Sequence, residues 1–393
     1  MCELTCANIV LSHTITPVIP IADPVISKRA DRYIIKTLRD GWISSKGPVV
    51  DRFEKKFAKF IHTNHAIATN SGTSSIHLAL AALGIGPGDE VILPTFTMIA
   101  TLLPVVYLGA TPVLVDVEHD TGNIDCTLVK KALTAKTKAI IAVHIYGHPA
   151  DMSTLLSIAG KRTIPVVEDA AEAHGAQYKS SSTHWSTVGS LGTAGCFSLY
   201  ANKIITTGEG GIAVTNDSAL AERMRSLSNF ARAPGQHFSH TAIGYAYRMG
   251  SLQAALGLAQ LPEAAARVKR KRQIAGLYSQ QLRTIPGITL PIEKPYARSV
   301  FWHYGIIVTQ KARRTRNELA RFLAKNNIET RNFFVPLHRQ PVLRKKNLVS
   351  GCRFPISDYL GTGGICLPSG LTITNKEILF ICRKIRAFMD GNA

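Results

Sequence analysis

Apolar residues recur along this 393-residue chain in two alternating rhythms. Ile76, Ala79, Leu80 and Leu83 keep the i, i+3, i+4, i+7 spacing of one helix face. Gly84 closes that helix, and Gly86-Pro87-Gly88-Asp89 makes a turn. Val91-Ile92-Leu93 is a continuous apolar run ended by Pro94, the pattern of a buried strand. The alternation continues with helices predicted over 98–108, 128–133 and 152–159 and strands over 112–117, 139–143 and 164–167. Strands apolar on both faces and separated by helices predict a mostly parallel sheet covered on both sides. A helix over 219–228, a loop over 233–244 and one long helix over 251–282 follow. Beyond them come a strand over 304–308, a helix over 316–325, a loop-rich stretch over 332–370 and a final helix from about Thr374. The chain divides into an arm (1–29), a large sheet domain (30–260) and a smaller C-terminal α+β domain (261–393).

Composition changes this picture little. Hydrophobic residues make up 46% and charged residues 18%, which places the chain among globular proteins and excludes disorder. The seven cysteines contain no CxxC pair, which suits free thiols in a reducing, cytoplasmic setting. No apolar run is long enough to span a membrane, and residues 1–20 lack the basic start of a signal peptide. The formal charge is +20, with basic clusters at 267–272, 313–316 and 344–346. These clusters fit nucleic-acid contact, solvated helix faces or attraction of an anionic small substrate. No aromatic interleaving accompanies them, so no nucleic-acid partner is predicted. No metal site is predicted either.

Three short segments carry candidate chemistry. Asn70-Ser71-Gly72-Thr73-Ser74-Ser75 opens the first helix. Small hydroxyl residues and a glycine there suit either an ordinary N-cap or a cradle for phosphate at the positive end of the helix. Glu168-Asp169-Ala170-Ala171-Glu172-Ala173-His174-Gly175 follows the 164–167 strand, and ligands of open α/β sheets gather at carboxyl ends of strands. Asp169 there either caps the next helix or pairs with a protonated pyridine nitrogen; His174 lines the site or fills the core. Lys203 lies in an apolar stretch before Gly208, Gly210 and Gly211. A desolvated lysine can lose its proton and attack a carbonyl to form a Schiff base. Phosphate cradle, acidic strand end and lysine, in that order, describe a fold-type-I enzyme of pyridoxal 5'-phosphate.

The chain resembles the DegT/DnrJ/EryC1/StrS family of nucleotide-sugar aminotransferases from about Ile19 to the last helix. Besides the three segments above, the resemblance is carried by 41–47, 94–101, 143–149, 243–249, 301–305, 331–338 and 367–370. It implies an α/β, aspartate aminotransferase-like transferase whose large domain binds the cofactor. It implies Lys203 as Schiff-base lysine and proton shuttle and Asp169 as partner of the ring nitrogen. Gly72, Thr73, Ser74 and Ser198 fall at the phosphate, Glu172 near the ring, and Met98 where a side chain stacks on it. The segment 245–249 resembles one that reaches a second subunit, making Arg248 a phosphate ligand in trans and the protein a homodimer with shared active sites. Ser44, Ser45, Lys46, Phe333 and His338 are candidates for substrate contact, or else turn residues, a core aromatic and an interface histidine. The implied substrates are L-glutamate and a nucleotide-linked 4-keto sugar, GDP-4-keto-6-deoxy-D-mannose before a UDP-linked 4-keto-6-deoxyhexose, on the way to surface polysaccharide. A non-catalytic nucleic-acid-binding protein of the same fold is the reading left from the charge. The chain departs from the family pattern at Ala246, Gly250-Ser251, Leu102-Leu103-Pro104 and the Ser/Thr-rich 179–188.

Overall fold

In the computed structural model, which describes residues 18–391 apart from 234, 237, 347 and 350–352, seven strands build the central sheet. Their spatial order is His65–Thr69, Gly211–Thr215, Ala194–Ser198, Val166–Asp169, Thr137–Val143, Glu90–Pro94, Thr111–Val115. Gly211–Thr215 is antiparallel to both neighbours, and the other six run one way. Alternate side chains of one strand enter different cores: Ile140 and Ala142 pack on one face, Ala139, Ile141 and Val143 on the other. That two-sided burial is why these strands read as unbroken apolar runs.

A second, antiparallel sheet has the order Ile288–Thr289, Tyr304–Val308, Gly364–Leu367, Arg331–Asn332. Its core includes residues of the helices Ala264–Leu282, Arg316–Lys325 and Asn375–Met389. The Ser/Thr-rich 179–188 segment forms most of a hairpin, Gln177–Lys179 with Trp185–Thr187, which also pairs with Ala297–Arg298.

Four elements differ from the sequence pattern. The helix expected over 98–108 is a 3-10 turn, Ile99–Thr101, followed by Leu103–Tyr107, because Pro104 has no N–H to continue a helix through it. Pro262 likewise divides the helix expected over 251–282 into Ser251–Gln260, a 3-10 turn and Ala264–Leu282. The strand expected over 164–167 is Val166–Asp169, because the Ile164 N–H turns back to Ala159 O at 3.1 Å. The loop-rich stretch contains Pro341–Lys345, Pro355–Gly363 and the strand Gly364–Leu367.

The arm expected over 1–29 lies outside the described residues as far as position 17, as do Cys2, Cys6 and Cys352. Its described part is tied down, with Ile21 N–H donating to Glu329 Oε2 at 2.8 Å. The basic run at 267–272 is an internal brace. Arg267 donates to Ile204 O and pairs with Glu263, Arg270 donates to Ile373 O, Lys271 to Ser369 O, and Arg272 pairs with Glu293. Of the run's basic residues only Lys269 is exposed, so these charges are largely committed within the chain.

Candidate active site

The carboxyl ends of the sheet strands open into a cavity of about 450 Å³, within the range of small-molecule sites. Gly72, Thr73, Met98, Asp169, Glu172, Ser198 and Lys203 all line it.

The helix Gly72–Ala82 starts at one wall. Ser71 caps it by accepting from Ser74 N–H, while the N–H groups of Gly72 and Thr73 have no acceptor among the described residues. A Cβ at Gly72 would lie 2.9 Å from Ser198 Cβ, so only glycine lets the helix start approach the end of the neighbouring strand so closely. The result is a polar pocket of free donors at the positive helix end. Ser74 stands behind it. Its hydroxyl is committed to Asn70 Oδ1 at 2.6 Å and to Ser71 Oγ at 2.8 Å, which is why it does not line the cavity.

The strand Val166–Asp169 delivers two carboxylates to opposite sides. Glu168 faces the core and accepts from Gly189, Leu191 and Gly192 N–H and from His144 Nε2, at 2.6–3.0 Å. Asp169 faces the cavity. It accepts from Thr101 Oγ1 at 2.7 Å and from Ala171 N–H at 3.2 Å, but from no cation at ion-pair distance among the described residues. Burial raises its pKa, against the opposing pull of those two donors and of the Lys203 and His144 charges. A buried carboxylate left in this state fits a cationic ring nitrogen.

Lys203 and Glu172 complete the centre. Lys203 is half-buried, and its Nζ stands 3.7 Å from the Trp302 ring centroid. Burial pushes its pKa down, while Glu172 and Asp169 pull it up. Burial pushes Glu172 up to about 7, against the Lys203 charge and the Tyr146 N–H that donates to Glu172 Oε2 at 2.6 Å. Both shifts point toward the neutral forms, the direction that favours the unprotonated amine needed to attack a carbonyl. Met98, 48% exposed, presents an apolar thioether at the cavity edge.

The other expected residues lie elsewhere. Arg248, Ser45 and Lys46 line a separate cavity of about 190 Å³ with Asp51, Glu54 and Arg225. Ser44 O accepts from Ser251 N–H at 3.0 Å, so the unusual Gly250-Ser251 pins the 41–47 segment to a helix start. Phe333 and His338 are core residues. Phe333 packs on Phe96 and Tyr146, and His338 bridges Thr95 and Asp358 at 2.9 Å each. His174 is buried against Phe57 and Phe197.

Thr101, Trp302, Arg331 and Phe334 line the cavity without having been singled out. Their signal was faint. Trp302 and Arg331 each begin or sit within a short polar-aromatic segment, and which of Phe333 and Phe334 faces the site depends on strand phase alone.

A family model described as the DegT/DnrJ/EryC1/StrS aminotransferase family matches residues 24–386. The chain belongs to that family. This aminotransferase is 39% identical over 371 residues to a GDP-perosamine synthase of Escherichia coli O157:H7, covering 94% of this chain and 98% of that one. It is 39% identical to the GDP-perosamine synthase of Caulobacter vibrioides (92% and 96% covered) and 35% to that of Vibrio cholerae (95% and 99% covered). Among solved structures it is similar to DesV of S. venezuelae, with TM-score 0.87, 34% identity and coverage of 95% and 99%. The PLP form of a putative sugar aminotransferase from Streptococcus pneumoniae gives TM-score 0.88 at 27% identity, covering 96% of this chain and all of that one. This aminotransferase therefore has the fold-type-I architecture of sugar aminotransferases. Among the described residues no helix is long and apolar enough to cross a membrane.

Proposed function

We propose that this enzyme moves the amino group of L-glutamate to C4 of GDP-4-keto-6-deoxy-D-mannose, giving GDP-perosamine and 2-oxoglutarate, with pyridoxal 5'-phosphate as cofactor. The observation that carries the chemistry is the Lys203 amine, without an ion-pair partner among the described residues, standing in one cavity with Asp169 and Glu172. The choice of sugar is supported by the three relatives named GDP-perosamine synthase at 35–39% identity.

When bound, pyridoxal phosphate supplies an aldehyde for the amine and a ring that spreads carbanion charge. The residues fit it. Gly72 and Thr73 N–H groups and the Ser198 side chain would hold the phosphate. Asp169, oriented by Thr101 and Ala171, would keep the ring nitrogen protonated. Met98 would cover a ring face.

Lys203 Nζ would take the proton from the α-carbon of glutamate and hand it to the cofactor's aldehyde carbon, and in the second half would return that proton to C4 of the sugar. Glu172 lowers the cost of the ammonium that Lys203 becomes. Arg331, at the same cavity, offers a fork of donors that suits the α-carboxylate of the amino donor. Arg248 faces away from this cavity and serves the phosphate of a second subunit, making the working unit a homodimer.

The test is product mass after incubation with glutamate and GDP-, UDP- or dTDP-linked 4-keto-6-deoxy sugars. The GDP-linked substrate should gain the amine, and Lys203→Ala should lose at least about a hundredfold in rate. Preferential amination of a UDP- or dTDP-linked sugar would overturn the substrate. A fully active Lys203→Ala would overturn the mechanism.

A further inference from the structure

The Lys203 Nζ stands 3.7 Å from the centroid of the Trp302 indole, a neighbour that is neither an acid nor a hydrogen-bond acceptor. The ring is held from several sides. Its Nε1–H donates to Asn202 O at 2.8 Å, so the indole is fixed to the residue beside the lysine. Its backbone N–H donates to Tyr146 O at 2.9 Å, and its plane lies 18° from that of Tyr146. The chain enters this position through Phe301 at φ 48°, a left-handed conformation that costs a non-glycine residue about 1 kcal/mol or more. It also passes over Gly147, where a Cβ would come within 2.5 Å of Val300 Cγ2 and 3.2 Å of the Trp302 nitrogen. Strain, close approach and hydrogen bonds all converge on one ring orientation, and Trp302 is 4% exposed.

An indole face attracts an ammonium and offers a neutral amine nothing comparable. We propose that the face of Trp302 holds the displaced, protonated side chain of Lys203 while the substrate nitrogen occupies the cofactor, which makes Trp302 a positioning residue for the proton shuttle. This role rests on the reading of Lys203 as the cofactor lysine. The charged groups that also act on the amine are Glu172 and Asp169, which favour the ammonium, and Arg331, which opposes it; His174 and His303 lie beyond. The ring is the contact that a substitution removes without changing local charge.

The pH dependence of Lys203 acetylation in the apoenzyme, read by peptide mass spectrometry, reports the amine's apparent pKa. Trp302→Leu should lower it by roughly half a unit to one and a half units. Trp302→Phe keeps an aromatic face but loses the bond to Asn202 O, and should lower it less. An unchanged value in both variants, or equal falls in both, overturns the role of the ring.

If Trp302→Leu does not fold, wild type and Trp302→Phe decide. The chain has three tryptophans, and the emission lost in Trp302→Phe should titrate in wild type with the same apparent pKa as Lys203 acetylation. Emission flat across that range overturns the contact. Lys203→Ala separates the layers: a visible cofactor band present in wild type and lost in Lys203→Ala upholds the lysine assignment whatever Trp302 does. A band that survives in Lys203→Ala removes the assignment itself.

Discussion

His174 lies five positions after Asp169 yet does the opposite work. Its ring packs against Phe57 and Phe197, and neither ring nitrogen has a hydrogen-bond partner among the described residues. Burial, with the Lys203 charge added, pushes its pKa down to about 3. A histidine depressed in the folded state binds a proton more readily once the chain unfolds. The stability of the neutral ring is therefore fully present above about pH 6.5 and is lost as pH falls from there toward 3. His174→Leu keeps similar volume and removes the titration. Thermal unfolding of the apoprotein should show a gap that widens in favour of the variant as pH falls below about 6.5, by up to about 1.4 kcal/mol per pH unit. A gap that stays constant with pH would assign the acid sensitivity to another group. The residue type alone left core and site equally open; only the packing of two phenylalanines decides for the core.

Elements were legible where their stabilisation is local. The helix Gly72–Ala82 and the strands around it announce themselves because the cap Ser71, the apolar face and the closing Gly84 all lie within one short window of sequence. The helix Pro355–Gly363 does not, because its own N-cap residue, Phe354, makes no side-chain cap bond. The cap comes instead from Asp116, just past the strand Thr111–Val115. Asp116 accepts from Ile356 N–H at 3.0 Å, Ser357 N–H at 2.9 Å and Ser357 Oγ at 2.6 Å. No window of sequence contains both partners, so the region reads as loop. The same distance hides Trp302 and Arg331, which join a cavity whose other walls lie far upstream. Asp116→Ala would leave buried donors without an acceptor at the positive end of that helix, and should destabilise the protein by roughly 3 kcal/mol. Denaturant unfolding measures this. Because Asp116 does not line the cavity, cofactor absorbance in the folded fraction should be unchanged; loss of cofactor without loss of stability would contradict the capping role.

At the scale of the whole molecule, the proposed homodimer turns on where Arg248 lies. The segment 245–248 docks beside the start of the helix Gly72–Ala82: Asn70 N–H donates to Tyr247 O at 2.8 Å, and the Tyr247 hydroxyl meets His77 Nδ1 at 2.8 Å. Yet this docking turns Arg248 away from Lys203, into the cavity with Ser45 and Lys46, and leaves its buried Nε without a partner among the described residues. Large apolar side chains near these segments, Trp42, Ile43, Tyr107 and Ile243, are about half or more exposed, as the proposed homodimer requires of a surface it would cover. The trans role of Arg248 therefore has a stringent test. In a dimer built this way, each working cavity takes Lys203 from one subunit and Arg248 from the other. Lys203→Ala and Arg248→Ala should each be impaired alone. A mixed dimer of the two contains one cavity with both defects and one with neither. Dissociating and recombining equal amounts should then restore about a quarter of wild-type activity. Recovery in the mixture, absent when either variant is recombined with itself, places Arg248 across the interface. No recovery in mixtures shown by native mass spectrometry to contain mixed dimers would return Arg248 to its own subunit.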